Sequence, residues 1–187
     1  MPRTYDIAGQ DVGDLLDVLV SRHYKELAEA FVTFDLLLAY GPRNKEGEIT
    51  APAIVLQGHR AAATVRVNSH KDRVKGLNDV TIEIDGDLWP EWSAEARAAV
   101  LDHELYHLEL VPSPDGRPNL DNANRPRLRL KKHDFHFGGF AEIARRHRDY
   151  AFEVLAVQEA YSLCAGAGGQ LEWPWAAPQP NRKLSAS

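Results

Sequence analysis

Residues 103 to 107 read His-Glu-Leu-Tyr-His, an H-E-x-x-H pentapeptide. On a helix of 3.6 residues per turn, histidines four positions apart share one face, one turn apart. Two such imidazoles can ligate one zinc ion, and the intervening Glu104 is placed to handle the proton of a metal-activated water. A catalytic zinc takes three protein ligands and keeps one position open, so a third donor is needed downstream. His133 is the preferred candidate and His136 the alternative. Glu142 stays open as well, because a glutamate on a following helix can serve, while His147 and Glu153 are weaker. Asp134 reads either as an acceptor that orients a ligand imidazole or as a plain helix N-cap. The bland alternative is a surface helix whose His and Glu are merely solvated. Three fixed positions cannot exclude that alone, so the elements around the motif must carry the case.

Those elements are legible in outline. Ser93 offers an N-cap with Glu95 in the first turn, and the spacing predicts a helix to about Val111, stopped by Pro112 and Pro114. Ala98, Leu101, Leu105 and Leu108 form an apolar stripe on it for the core. Val100, His103, Glu104 and His107 occupy the neighbouring face, so the helix can bury one side and present two imidazoles to a cleft. Upstream, the pattern predicts a helix from about Val12 to Ala30 and a strand over residues 31–39 that ends at Tyr40-Gly41-Pro42. Short strands are expected at Ala53–Leu56 and Ala62–Val67, and a half-buried one at Val80–Ile84. Residues 112–126, rich in Pro, Asn, Asp and Gly, read as a loop. Leu128–Leu130 reads as a short extended piece, and a last helix is expected from near Phe137 to about Cys164. Trp89 and Trp92 read as core anchors.

The stretch from Trp89 to Leu108, together with Lys132-His-Asp-Phe-His-Phe-Gly-Gly-Phe-Ala-Glu-Ile143, resembles the phage metallopeptidases, a family similar to SprT-like zincins. The likeness covers roughly residues 10–165. It implies an α+β, zincin-like fold, with a small mixed sheet packed on the H-E-x-x-H helix and flanking helices. It also implies His103, His107 and His133 as zinc ligands, Glu104 as catalytic acid/base, and a protein or peptide substrate. Both His133 and His136 stand four residues before a phenylalanine, as the third histidine of SprT-like proteins does, so both remain candidates.

The chain of 187 residues is read as one domain over residues 1–165 with an irregular tail over 166–187, rich in Gly, Ala and Pro. A net charge of −5 gives no global electrostatic case for nucleic-acid binding. The basic run Arg125, Arg127, Arg129, Lys131, Lys132 reads first as a solvated alternating strand, with a nucleic-acid contact as the lesser reading. One cysteine, Cys164, permits no internal disulfide. No apolar stretch approaches membrane-spanning length, so a cytoplasmic protein is expected. The expected function is zinc-dependent peptide hydrolysis. The alternatives are a metal-binding regulatory or protein/DNA-binding module with little turnover, or a structural zinc with four protein ligands.

Overall fold

Alternating apolar residues build the sheet that carries the site. The computed structural model describes residues 2–56, 58–114, 117–133 and 157–158. The chain divides into two compact units, Met1–Lys132 and His133–Ser187. All elements below belong to the first. The expected tail over residues 166–187 lies outside the described residues, as does the expected last helix apart from Val157 and Gln158, which are helical.

Strand β1 (Thr4–Ile7) leads into helices α1 (Gln10–His23) and α2 (Lys25–Glu29), then β2 (Phe34–Tyr40). A small ribbon of β3 (Val55–Leu56) and β4 (His59–Arg60) precedes β5 (Ala63–Val67), α3 (His70–Val74) and β6 (Val80–Asp85). A short 3-10 turn at Trp89–Glu91 leads to α4 (Ala94–Tyr106), and β7 (Leu108–Leu110) and β8 (Leu128–Leu130) close the unit. The main sheet has the order β1-β2-β6-β5 and is mixed: β2 and β6 run parallel, the other pairs antiparallel. β7 and β8 form a separate antiparallel ladder.

One face of this sheet is apolar because its cross-strand rows are. Leu36, Ile82 and Val65 stand in one row, and Leu38, Ile84 and Ala63 in the next. They pack with Val12, Leu16 and Leu19 of α1 and with Leu101 and Leu105 of α4. Burying such side chains contributes roughly 1.5–3 kcal/mol each. Trp89 and Trp92 are buried in the same core and meet edge to face, with ring centroids 5.9 Å apart.

Several boundaries differ from expectation, some for local and some for long-range reasons. The first helix breaks at Tyr24, whose buried hydroxyl is shared between the carboxylate (2.7 Å) and the carbonyl oxygen (2.9 Å) of Asp102. Phe31, expected in a strand, instead has φ 55°, and Val32 N–H returns to the Leu27 carbonyl, so β2 starts only at Phe34. β6, a central strand between β2 and β5, is buried on both faces over nearly its whole length rather than half-buried. The polar stretch after β5 holds a helix, α3, whose N-cap Ser69 accepts from Asp72 N–H, and Gly76 (φ 103°) follows it. Ser93 caps α4 as expected, accepting from Ala96 N–H, but α4 ends at Tyr106 rather than near Val111. Leu108–Leu110 are withdrawn from the helix to pair with Leu128–Leu130.

Candidate metal centre

The early end of α4 shapes the site. His103 lies in the last turn of the helix, His107 is its C-cap, and the two rings meet edge to face with centroids 5.0 Å apart. Ending the helix there frees the His107 carbonyl, which accepts from Lys131 N–H at 2.7 Å. The His107 Nδ1 lies 2.9 Å from the Lys131 carbonyl oxygen. A carbonyl can only accept, so Nδ1 carries a proton, and it is Nε2 that can offer a lone pair in the neutral ring. A ligand imidazole needs this arrangement, with its second nitrogen fixed by an outer acceptor.

Tethering Lys131 also constrains His133. Two residues of extended chain reach about 7 Å, so His133 cannot stray far from His107. One ring nitrogen from each of His103, His107 and His133 falls within 4.8 Å of the others. His103 and His133 are exposed and His107 is half-buried. His136, Glu142, His147, Glu153 and Asp134 lie outside the described residues.

Glu104 faces differently from its neighbours in the motif. It is only 6% exposed, on the side of α4 that meets β5. Burial pushes its carboxyl up to about 7, while the backbone N–H of Val65 bonds to it and pulls the other way. The β5 register explains that N–H. Asp79 O accepts Asn68 N–H and Ala62 O accepts Asp85 N–H, so the even-numbered residues of this stretch bond to β6. Val65 therefore directs its backbone groups to the other edge, toward α4. The sequence face assigned to Val100, His103, Glu104 and His107 is thus split: Val100 and Glu104 are buried, and the histidines look outward. Neither Val65 N–H nor Lys131 C=O carries any signal in the sequence, because every residue but proline has both groups.

The basic run is largely engaged. Arg125 Nε pairs with Asp79 at 3.2 Å, and Arg129 Nε with Glu109 at 2.8 Å. Lys131 Nζ lies 4.3 Å from the centroid of the Tyr106 ring. Three of the five cations of this run are engaged within the fold, so the run itself is not a continuous free basic stripe. Among the described residues no helix is long and apolar enough to cross a membrane.

A family model described as "Putative phage metallopeptidase" matches residues 7–163. No curated protein and no solved structure matches the chain. The family match takes in most of the sequence, including α4 and all three clustered histidines, and by that extent the chain belongs to the phage metallopeptidase family, whose name implies a metal ion and a protein substrate.

Proposed function

We propose that this protein is a zinc-dependent peptidase of zincin-like build, with residues 1–165 as its catalytic domain. In this reading His103, His107 and His133 hold the metal, and Glu104 is the general base. The observation that carries it is the approach of three imidazole nitrogens to within 4.8 Å, next to a buried glutamate on the same helix. The donor set suits zinc: imidazole nitrogens, one ring oriented by a carbonyl, at a spread close to what bonds of about 2 Å can span.

When bound, the metal would supply Lewis acidity and the acidification of a water molecule. The rest falls to the chain. With its carboxyl held near 7 by burial, Glu104 can accept a proton from water at neutral pH and pass it to the leaving amine. Val65 N–H of β5 favours the ionised carboxyl, against the burial that raises it. Lys131 C=O keeps the His107 ring in register throughout. A cytoplasmic setting agrees with the single cysteine.

Elemental analysis of the purified protein tests this. About one zinc per chain is expected, lost in both His107→Ala and His133→Ala. Zinc retained by His133→Ala would transfer the third position to His136 or Glu142. No zinc in the wild type after add-back would sink the proposal. Glu104→Gln should keep the metal while peptide cleavage falls by about 10²–10⁴-fold, the range for a lost general base. A protein that retains its partner binding with no cleavage in the wild type would instead be a binding module.

A further inference from the structure

Beside the β5 edge lies a cavity of about 540 Å³, a volume that suits small-ligand and side-chain recognition. Val67 of β5 and Leu128 of β8 form apolar walls, while Arg73, Asp121 and Arg127 supply charge and His70 an imidazole. Its position relative to the metal centre follows from the strands. Val67 is two residues along β5 from Val65, whose N–H holds Glu104, a distance of about 7 Å. Leu128 is three residues back along β8 from Lys131, whose carbonyl holds His107, about 10 Å. An extended peptide advances about 3.3 Å per residue. With its scissile bond at Glu104, it would therefore bring a side chain two or three positions away to this cavity.

The charges select what that side chain should be. Arg73 bridges Asp79 (3.3 Å) and Asp121 (2.9 Å), and Arg125 shares Asp79. With Arg127 the cluster holds three guanidinium groups against two carboxylates. Asp121 is held ionised, its carboxyl lowered first by the backbone N–H of Arg125 and further by Ala123 N–H, Arg73 and His70. His70 Nδ1 stands 3.5 Å from Asp121. Arg127 has no carboxylate partner among the described residues, although it lines the cavity and is exposed. Asn119 adds an amide to the same lining. The cavity is thus preorganised with one uncompensated cation at its mouth, beside walls that would accept the methylenes of an acidic residue.

We propose that this cavity is a specificity subsite for an aspartate or glutamate two or three residues from the cleaved bond, with Arg127 as the residue that reads the carboxylate. The inference rests on the peptidase reading and deepens it.

The test uses the full-length, zinc-loaded protein with extended peptides that carry one Asp at each position from three residues before to three after the cleaved bond. Each is matched to its Asn counterpart. At one position two or three residues away, the Asp peptide should exceed the Asn peptide in kcat/KM by about two- to fivefold, the scale of a single exposed charge pair. Arg127→Ala should bring that ratio to about one, and Arg127→Glu should reverse it in favour of a Lys peptide. Cleavage by the wild type with no acidic preference, or a preference that survives Arg127→Ala, would overturn the subsite and leave the peptidase standing. Binding of the same peptides to Glu104→Gln, read by fluorescence anisotropy, separates the two ideas. Asp-dependent binding that Arg127→Ala removes, without cleavage by the wild type, would uphold the subsite and overturn the peptidase.

Discussion

Glu104 and Asp79 are both buried acids, 6% and 1% exposed, but the fold treats them in opposite ways. Asp79 stands just before β6 and is fully partnered. One oxygen accepts from the backbone N–H and hydroxyl of Thr33 (3.0 and 2.9 Å), and the other meets Arg73 and Arg125. Asp85, at the far end of β6, follows the same rule, accepting from Arg60 and from two backbone N–H groups. Glu104 receives one backbone N–H and no cation among the described residues, and its carboxyl rises to about 7. A buried charge that is compensated stays ionised, whereas an under-compensated one is raised toward neutral pH.

The sharpest way to break this contrast is to remove each acid. Asp79→Ala removes the carboxylate that Arg125 and Thr33 share with Arg73, whose side chain is 9% exposed and is left with Asp121. Urea unfolding should show a loss of about 3–5 kcal/mol, the cost of breaking a buried pair from one side. A loss under 1 kcal/mol would show that these arginines find water or other partners, and the contrast would fail.

Next in size is the pH response of the metal-free protein. The folded carboxyl of Glu104 sits near 7 and the unfolded one near 4.5. Below the unfolded value both states are protonated and the folded state suffers nothing. As pH rises through 4.5 the unfolded chain releases its proton while the folded one retains it, so stability is lost progressively until pH passes 7. The full difference is about 3 kcal/mol at 1.36 kcal/mol per unit. Between pH 5 and pH 8 about 2.5 kcal/mol of this is lost, so unfolding free energies at the two pH values should diverge less in Glu104→Gln than in the wild type by about that amount. Equal divergence in both proteins would mean that Glu104 is better solvated than its burial implies.

The same contrast explains what could be read before the structure was known. Thr64-Val65-Arg66-Val67 and Val80–Ile84 were legible as strands because the period-two pattern is local. Ser93 was legible as a cap because its hydroxyl acts within its own turn. His103, Glu104 and His107 were legible as a group because helix geometry alone brings them together. The end of α4 was not, since nothing near Leu108 announces that it will pair with Leu130, 22 positions away. The break at Tyr24 likewise depends on Asp102, 78 residues distant. Compensation is the least legible property of all. Asp79 and Glu104 are both single acids in sequence, and only folding decides that arginines 73 and 125 meet one of them.

The smallest expected effects concern the two ends of α4, and they ask whether the site depends on the whole helix or only on its last turns. Ser93→Ala removes the N-cap bond to Ala96 N–H and should cost about 1 kcal/mol. His103 lies nine residues beyond Ala94, about 14 Å along the axis, so fraying of the first turn should not reach the histidines. Tyr24→Phe removes a hydroxyl from Asp102, the residue before His103, at a similar cost of about 1 kcal/mol. Burial, with the Asp102 carboxylate as a further cause, holds the Tyr24 phenol well above its usual range, so this bond persists across the working pH. Matched stability losses should therefore separate in metal affinity, measured by competition with a chelator: Tyr24→Phe weakens zinc binding by a few-fold and Ser93→Ala leaves it unchanged. Equal affinities in the two variants would mean that the core contacts of Leu101 and Leu105 alone hold the histidines in place, with the Tyr24 anchor serving stability only.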